Sequence, residues 1–316
     1  MGRNNKKVIC NIKPSDKECR PLTSSVPEML DEKGDILKEK CDELENKYVH
    51  EIYETMAEHF SHTRGIPWPK VKNFVSSFGP GSLLLDVGCG NGRFMDCVKD
   101  SKVFFMGTDR CKSLLESART RNPNLQVFVD NCMKLNIRSG TFDGIICIAV
   151  LHHLSTPERR IQAVSELIRC LRRNGTLLIY VWAFEQKKGT VGSRSFSSKD
   201  TMVPWHFQKK YAKDNHEKAE NIQQCTDQIK EEMDDPQKEA GSLGNIVRVP
   251  PEKYLIALQR YYHLFEEQEI VEICNKGIEK YKEGIKGQGD CELEEDVSII
   301  ETYFDCNNWA VKIAKN

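Results

Sequence analysis

Apolar residues recur every three to four positions between Leu37 and Phe60, at Leu37, Cys41, Leu44, Tyr48, Ile52 and Met56. That period predicts an amphipathic helix, packed on the edge of a sheet. From Ser82 the pattern becomes short apolar runs separated by helical stretches. Ser82 to Val87 reads as a buried strand that empties into glycines, with a helix over Phe94 to Val98. Strands follow at Val103 to Gly107, Leu125 to Val129, Phe142 to Val150 and Thr176 to Trp182. Helices are expected between them at Ser113 to Arg121 and at Thr156 to Leu171. Thr156, Pro157 and Glu158 supply the N-cap, first position and first-turn acid of the latter, and Asn174 and Gly175 close it. Strands alternating with helices at this rhythm imply right-handed crossovers and a mostly parallel sheet.

The chain closes with Val297 to Phe304, a turn at Asp305 to Asn308, and Trp309 to Ala314, the pattern of an antiparallel hairpin. The expectation is therefore an α/β fold with a seven-stranded, mostly parallel sheet and a C-terminal antiparallel hairpin. Two stretches lack the apolar content to offset ordering entropy. Residues 1–38 read as a polar tail, and 187–249 as a largely disordered insertion whose one apolar island is Met202 to Phe207. Pro250 to Cys274 is expected to be helical in two pieces. The domain thus comprises 39–186 and 250–316.

Composition narrows the class further. Of 316 residues, 29% are charged and 39% hydrophobic, and no window approaches the roughly 20 apolar residues of a membrane span. The N-terminus has no apolar signal core, so a cytosolic or nuclear protein is expected, with no membrane association. Thirteen cysteines, an odd number with several inside apolar strands, point to reduced thiols, and no spacing suggests a metal site. Cys147 reads as a small core residue. A net charge of −1 restricts any nucleic-acid surface to a local patch.

The densest chemistry is Asp86-Val87-Gly88-Cys89-Gly90-Asn91-Gly92-Arg93, where a strand becomes a helix. Glycines there allow a sharp turn and close approach of a ligand to the backbone; a tight turn with no ligand is the bland alternative. The spacing departs from the dinucleotide pattern, because Arg93 occupies its last glycine position. Asp86 suits a cationic ligand group better than a phosphate, and S-adenosylmethionine carries an ammonium and a sulfonium. Asp109, ending the next strand beside Arg110, can accept both ribose hydroxyls. Asp130 and Asn131, ending the third, can meet the adenine edge. Acids at three consecutive strand ends define one crevice. Gly88, Gly90, Asn91, Gly92 and Ala149 complete the candidate cofactor residues.

Longer motifs carry a family resemblance. Tyr48-Val49-His50-Glu51-Ile52-Tyr53, the stretch His59 to Pro69 with Thr63-Arg64 and Pro67-Trp68-Pro69, Ile148 to His153, and Glu158-Arg159-Arg160 resemble the eukaryotic tRNA wobble-uridine methyltransferases. Leu178 to Gln186, Val203-Pro204-Trp205-His206, Arg260 to Phe265 and Asn308-Trp309 extend the similarity, which runs from about residue 44 to the C-terminus outside the insertion. That family includes the methyltransferase domain of the AlkB-type wobble-uridine hydroxylase, and its fold is the class I, Rossmann-like methyltransferase fold.

The resemblance implies methyl transfer from S-adenosylmethionine to the carboxylate of 5-carboxymethyluridine in the tRNA anticodon loop. It also implies a partner, a small zinc-containing methyltransferase activator subunit. A carboxylate is already nucleophilic, so alignment carries the rate and no strong base is needed. Arg64 is the first candidate to clamp that anion, with His50 and Tyr53 beside it and His153 facing the transferred methyl. Trp68, Trp182, Glu185, Arg260, Tyr261 and Tyr262 are substrate candidates, Arg and Tyr together suiting a flipped uridine. Trp68 and Trp182 serve equally as packing rings, His152 reads as a satisfied structural histidine, and Arg159 and Arg160 as a solvated helix face or, near a cleft mouth, as phosphate contacts. Two competing functions stay open: a methyltransferase of another carboxylate, in a small molecule or a protein, and a catalytically silent cofactor-binding scaffold.

Overall fold

The apolar runs pair as parallel neighbours wherever both of their faces can be covered by helices. In the computed structural model, which describes residues 38–63, 67–98, 102–187, 193–208, 246–248, 255–286 and 296–316, β1 (Leu83–Val87) lies between β2 (Phe104–Asp109) and β4 (Phe142–Ile148), parallel to both. β3 (Gln126–Val129) extends the sheet beyond β2, and β5 (Leu171–Trp182) beyond β4. The closing hairpin, β9 (Val297–Asp305) and β10 (Asn308–Lys315), enters antiparallel with β10 against β5. The order β3-β2-β1-β4-β5-β10-β9 is the expected seven-stranded sheet.

Helices cover both faces. α5 (Pro157–Cys170) starts as anticipated, with Thr156 Oγ1 accepting the Arg159 N–H and Pro157 at the first position. It packs with α6 (Glu267–Lys286), burying Val164, Leu167, Ile168, Ile270, Ile273 and Cys274 on the face that also holds Cys147. On the other face α3 (Pro69–Ser76) and α4 (Lys112–Arg121) bury Val71, Val75 and Leu115 against Phe105 and Ile146. α3 follows a Trp-Pro start that periodicity over eight residues is too short to reveal. The Leu37–Phe60 helix is found as α1 (Cys41–Glu45), a π-turn at Asn46–His50, and α2 (Glu51–Thr63). Such a π-turn often marks a functional position.

Three expectations are corrected. Phe94–Val98 forms only a 3-10 turn, Met95–Val98. The first piece of the Pro250–Cys274 region is strand β8 (Leu255–His263), and only the second is helix. A short run that is apolar on both faces has no period to separate strand from helix. The island at Met202 belongs to β6 (Asp200–Gln208), which pairs with β8 along nine residues, while β7 (Ile246–Arg248) pairs with its other edge. The insertion therefore contains strands at both ends; residues 1–37 and 209–245, expected to be polar tail and insertion, lie outside the described residues.

This three-stranded sheet packs on α2, with Trp205 and Leu258 against Ile52 and Met56, and Tyr261 and Met202 against Leu44 and Val49. The N-terminal helices are also tied to α5. Glu45, 1% exposed, accepts Ser155 N–H and Oγ–H at 2.7 Å each, and Arg159 Nη2 at 2.8 Å. Arg159 is thus a latch, and Arg160, 1% exposed, donates to the Leu154 and Ser155 carbonyls. Neither is the solvated arginine that helical spacing suggests. Among the described residues no helix is long and apolar enough to cross a membrane.

Candidate active site

The carboxyl ends of β1, β2, β3 and β4 open into one cavity of about 170 Å³, and the Tyr53 segment of α2 closes it from above. Gly88 turns the chain out of β1 at φ +78°, and a Cβ there would overlap the Val150 side chain. Only glycine combines that backbone angle with that close approach. The next turn is held from β2: Asp109 accepts Gly90 N–H and Cys111 N–H, each at 2.8 Å. Burial pushes the Asp109 carboxyl up to about 6, against the pull of those two N–H groups. Its remaining lone pairs face the pocket, where ribose hydroxyls can donate.

The structure brings Gly88, Gly90, Asn91, Asp109, Arg110, Asp130, Asn131 and Ala149 together along the wall, as expected. Ala149 sits there at φ +63°, unusual for a residue with a Cβ. Asp130 is more committed internally than an adenine ligand needs: it accepts from Asn131 N–H, Asn136 N–H and Asn136 Nδ2. Gly92 lies behind the wall, where a Cβ would meet Leu125 at 2.8 Å. Asp86 also lies behind it, fully buried, and neither carboxylate oxygen has a partner among the described residues. Burial pushes this acid up to about 8, with Arg93 pulling down and Asp109 pushing up.

A buried carboxylate without a donor requires a cation or a proton. Asp86 behind the glycine turn and Asp109 at the ribose position match the ammonium and ribose of S-adenosylmethionine, so the residues present fit this cofactor.

The far end of the cavity is aromatic. Tyr53, Trp68, His50, His153, Trp182 and Tyr262 line it. Tyr53 Oη and His153 Nε2 are 2.9 Å apart, and His153 Nδ1 is 3.0 Å from the Tyr261 carbonyl. A carbonyl only accepts, so the imidazole proton is on Nδ1 and Tyr53 donates to Nε2. Arg260 Nη1 donates to Tyr53 Oη at 3.3 Å. Burial lowers His153 to about 3, opposed by the Tyr261 hydrogen bond and aided by Arg260 and His50. His50 is lowered to about 4 by burial and then by Arg110. Both histidines are neutral.

Other candidates land elsewhere. Arg64 lies outside the described residues. Glu185 accepts from Trp309 Nε1 at 3.1 Å on the far side of β10, and is not part of the pocket. Tyr261 is fully buried, with its hydroxyl on Asp200, and serves through its carbonyl. Arg260 stands behind Tyr53 and Tyr262. His152, expected to be satisfied, accepts Trp182 N–H on Nδ1, but its Nε2 has no partner among the described residues. Phe60 of α2 also lines this end, backed by Trp205 of β6 with ring centroids 5.8 Å apart, a contact that no local motif encodes.

Comparison with known proteins agrees with this site. A family model described as "Methyltransferase domain" matches residues 85–179. The tRNA (carboxymethyluridine(34)-5-O)-methyltransferase of Schizosaccharomyces pombe is 34% identical over 282 residues, covering 87% of this chain and 99% of that protein. The Xenopus tropicalis tRNA (carboxymethyluridine(34)-5-O)-methyltransferase alkbh8 is 34% identical over 86% of this chain. A mouse "Probable tRNA methyltransferase 9B" is 43% identical over 164 residues, 52% of this chain. The chain spans only 41% of the Xenopus protein, and 45% and 49% of its macaque and mouse counterparts. With the Schizosaccharomyces protein aligned along almost its whole length and the cofactor crevice complete from Gly88 to Asp130, the chain belongs to the family of tRNA (carboxymethyluridine(34)-5-O)-methyltransferases.

Proposed function

We propose that this chain methylates the carboxylate of 5-carboxymethyluridine at the wobble position of tRNA, using S-adenosylmethionine. The observation that carries the reading is the protonation state of His153. Its Nδ1–H is taken by the Tyr261 carbonyl, Nε2 is taken by Tyr53, and its pKa is about 3. It cannot serve as a base near neutral pH. An amine or hydroxyl acceptor would have to shed a proton at this end of the pocket, whereas a carboxylate arrives ionised.

S-adenosylmethionine supplies an electrophilic methyl on a sulfonium. A carboxylate oxygen would take that methyl as the C–S bond's electron pair returned to sulfur, with no proton to remove. The chain's task is alignment and exclusion of water. Tyr53, His153 and Trp182 form the wall that orients the acceptor, and Trp182 and Tyr262, with ring centroids 4.6 Å apart, offer a platform for an unstacked base.

A zinc-containing activator subunit suits the β3 edge of the large sheet, where Val129 is 55% exposed and Phe104 on the adjacent strand 53%. Exposed apolar residues on a strand edge favour pairing with a second chain. The reaction would take place in the cytosol or nucleus.

The test supplies the purified chain, with and without the activator, with labelled S-adenosylmethionine and tRNA carrying or lacking 5-carboxymethyluridine. Label is expected only in the modified tRNA, in a base-labile form. Cofactor binding without label in either tRNA, with the activator present, would favour a silent scaffold.

A further inference from the structure

Two buried N–H groups at the aromatic end, Arg260 Nε–H and His152 Nε2–H, have no acceptor among the described residues. Arg260 is 1% exposed, yet no carboxylate among the described residues pairs with it. Its guanidinium is packed among the rings of Trp205, Tyr262 and Tyr53, at 4.8, 5.1 and 5.9 Å. Nη1 donates to Tyr53 Oη, and Nε–H has no partner among the described residues. The nearby acid Asp200 is already engaged by His263 Nδ1, by the Tyr261 hydroxyl and by Arg160.

His152 is the second donor. It is fully buried, and its Nδ1 accepts Trp182 N–H at 3.3 Å, which places the ring proton on Nε2. That Nε2–H has no acceptor among the described residues. Tyr262 lies against both groups: it stacks on His152 with centroids 4.5 Å apart at 25°, and beside its contacts with His153 and Trp182 it carries the Arg260 guanidinium 5.1 Å from its ring. Tyr262, Tyr53 and Trp182 all line the pocket. A buried cation without a counter-charge, next to an orphaned N–H, is unfavourable unless a ligand anion completes it.

We propose that Arg260 and His152 receive the acceptor's carboxylate beside Tyr262, Arg260 supplying the charge and His152 Nε2–H a hydrogen bond. This inference rests on the carboxylate reading above and assigns to Arg260 the role the sequence suggested for Arg64. It also gives a basis for selectivity. A carboxylate offers only acceptors to these donors, whereas a neutral carbamoylmethyl group turns an NH2 toward at least one of them. Esterification removes the negative charge, so the product loses its hold on Arg260 and leaves.

The test compares anticodon stem-loop RNAs bearing 5-carboxymethyluridine or 5-carbamoylmethyluridine, bound to the full chain with S-adenosylhomocysteine present. The native chain is expected to favour the acid by about tenfold to a hundredfold, as for a hydrogen bond to a charged group. In Arg260→Gln the preference should fall to about twofold or less while calorimetric cofactor affinity is unchanged; in His152→Phe it should fall several-fold. A preference that survives Arg260→Gln with cofactor affinity intact overturns the assignment. Should Arg260→Gln fail to fold, His152→Phe decides: a preference for the acid that is undiminished there, with cofactor affinity intact, overturns the assignment too. A native chain that binds both RNAs equally sinks the carboxylate reading itself.

Discussion

Tyr53 donates its hydroxyl proton to His153 across 2.9 Å, and the direction of that bond is fixed by a third residue, Tyr261, whose carbonyl claims the proton on the opposite ring nitrogen. The α2 helix is thereby tied to the end of β4 and to β8 at one point, directly on the pocket wall. Tyr53→Phe should leave cofactor affinity unchanged and lower kcat by about tenfold, the value of one buried hydrogen bond. With cofactor saturating, kcat should show no inflection from His153 between pH 6 and 8, because that ring titrates near 3. An inflection that disappears in His153→Asn would contradict the neutral assignment.

Asp86 makes cofactor binding depend on pH. Its carboxyl is raised from 3.8 to about 8 by burial, so the cofactor-free chain holds a proton there at pH 7 which a cationic ligand displaces. Affinity should rise by at most about tenfold per pH unit up to pH 8, with up to one proton released in calorimetry across buffers. The folded pKa exceeds the unfolded one, so the stabilising contribution is complete below pH 4 and is lost as pH rises through 8. Asp109, raised to about 6, adds a slope of the same sign. Asp86→Asn should flatten the part of the melting-temperature slope between pH 6 and 8 and weaken cofactor binding by about tenfold or more.

Gly88→Ala meets two obstacles, a φ of +78° and the Val150 side chain. Both thermal stability and cofactor affinity should fall. Adding Val150→Ala should restore the steric part only, leaving about 1–2 kcal/mol of backbone strain measurable by urea unfolding. Complete rescue would show that the turn relaxes.

The Glu45 latch predicts a stability effect outside the pocket. Glu45→Ala strands Ser155 N–H and leaves Arg159 only its exposed partner Asp42, and should lower stability by about 2–4 kcal/mol in urea unfolding, whereas Ser155→Ala, which removes one hydroxyl bond, should cost about 1 kcal/mol. Equal effects would mean that the Arg159 ion pair adds nothing.

The cofactor half of this protein is written locally. Asp86, Gly88 and Gly90 fall within five residues, and Asp109 and Asp130 each sit at the end of an apolar run. Backbone angle, strand period and strand order then bring Gly88, Gly90, Asp109 and Asp130 to one crevice with Asp86 behind its wall, so spacing alone predicts their meeting. Class, sheet and glycine turn are legible for the same reason. β8 is buried at every position from Leu258 to His263, so it leaves no period by which a strand differs from a helix.

The acceptor half is decided by tertiary structure. Tyr53 meets His153 across 100 positions and Arg260 across 207. Residue types in the sequence could nominate Arg260 and His152, but only packing determines which buried donors have been given an acceptor and which have been left for a ligand. Burial also sets the charge states of Asp86 and His153, since desolvation belongs to the assembled interior and to no single stretch of chain.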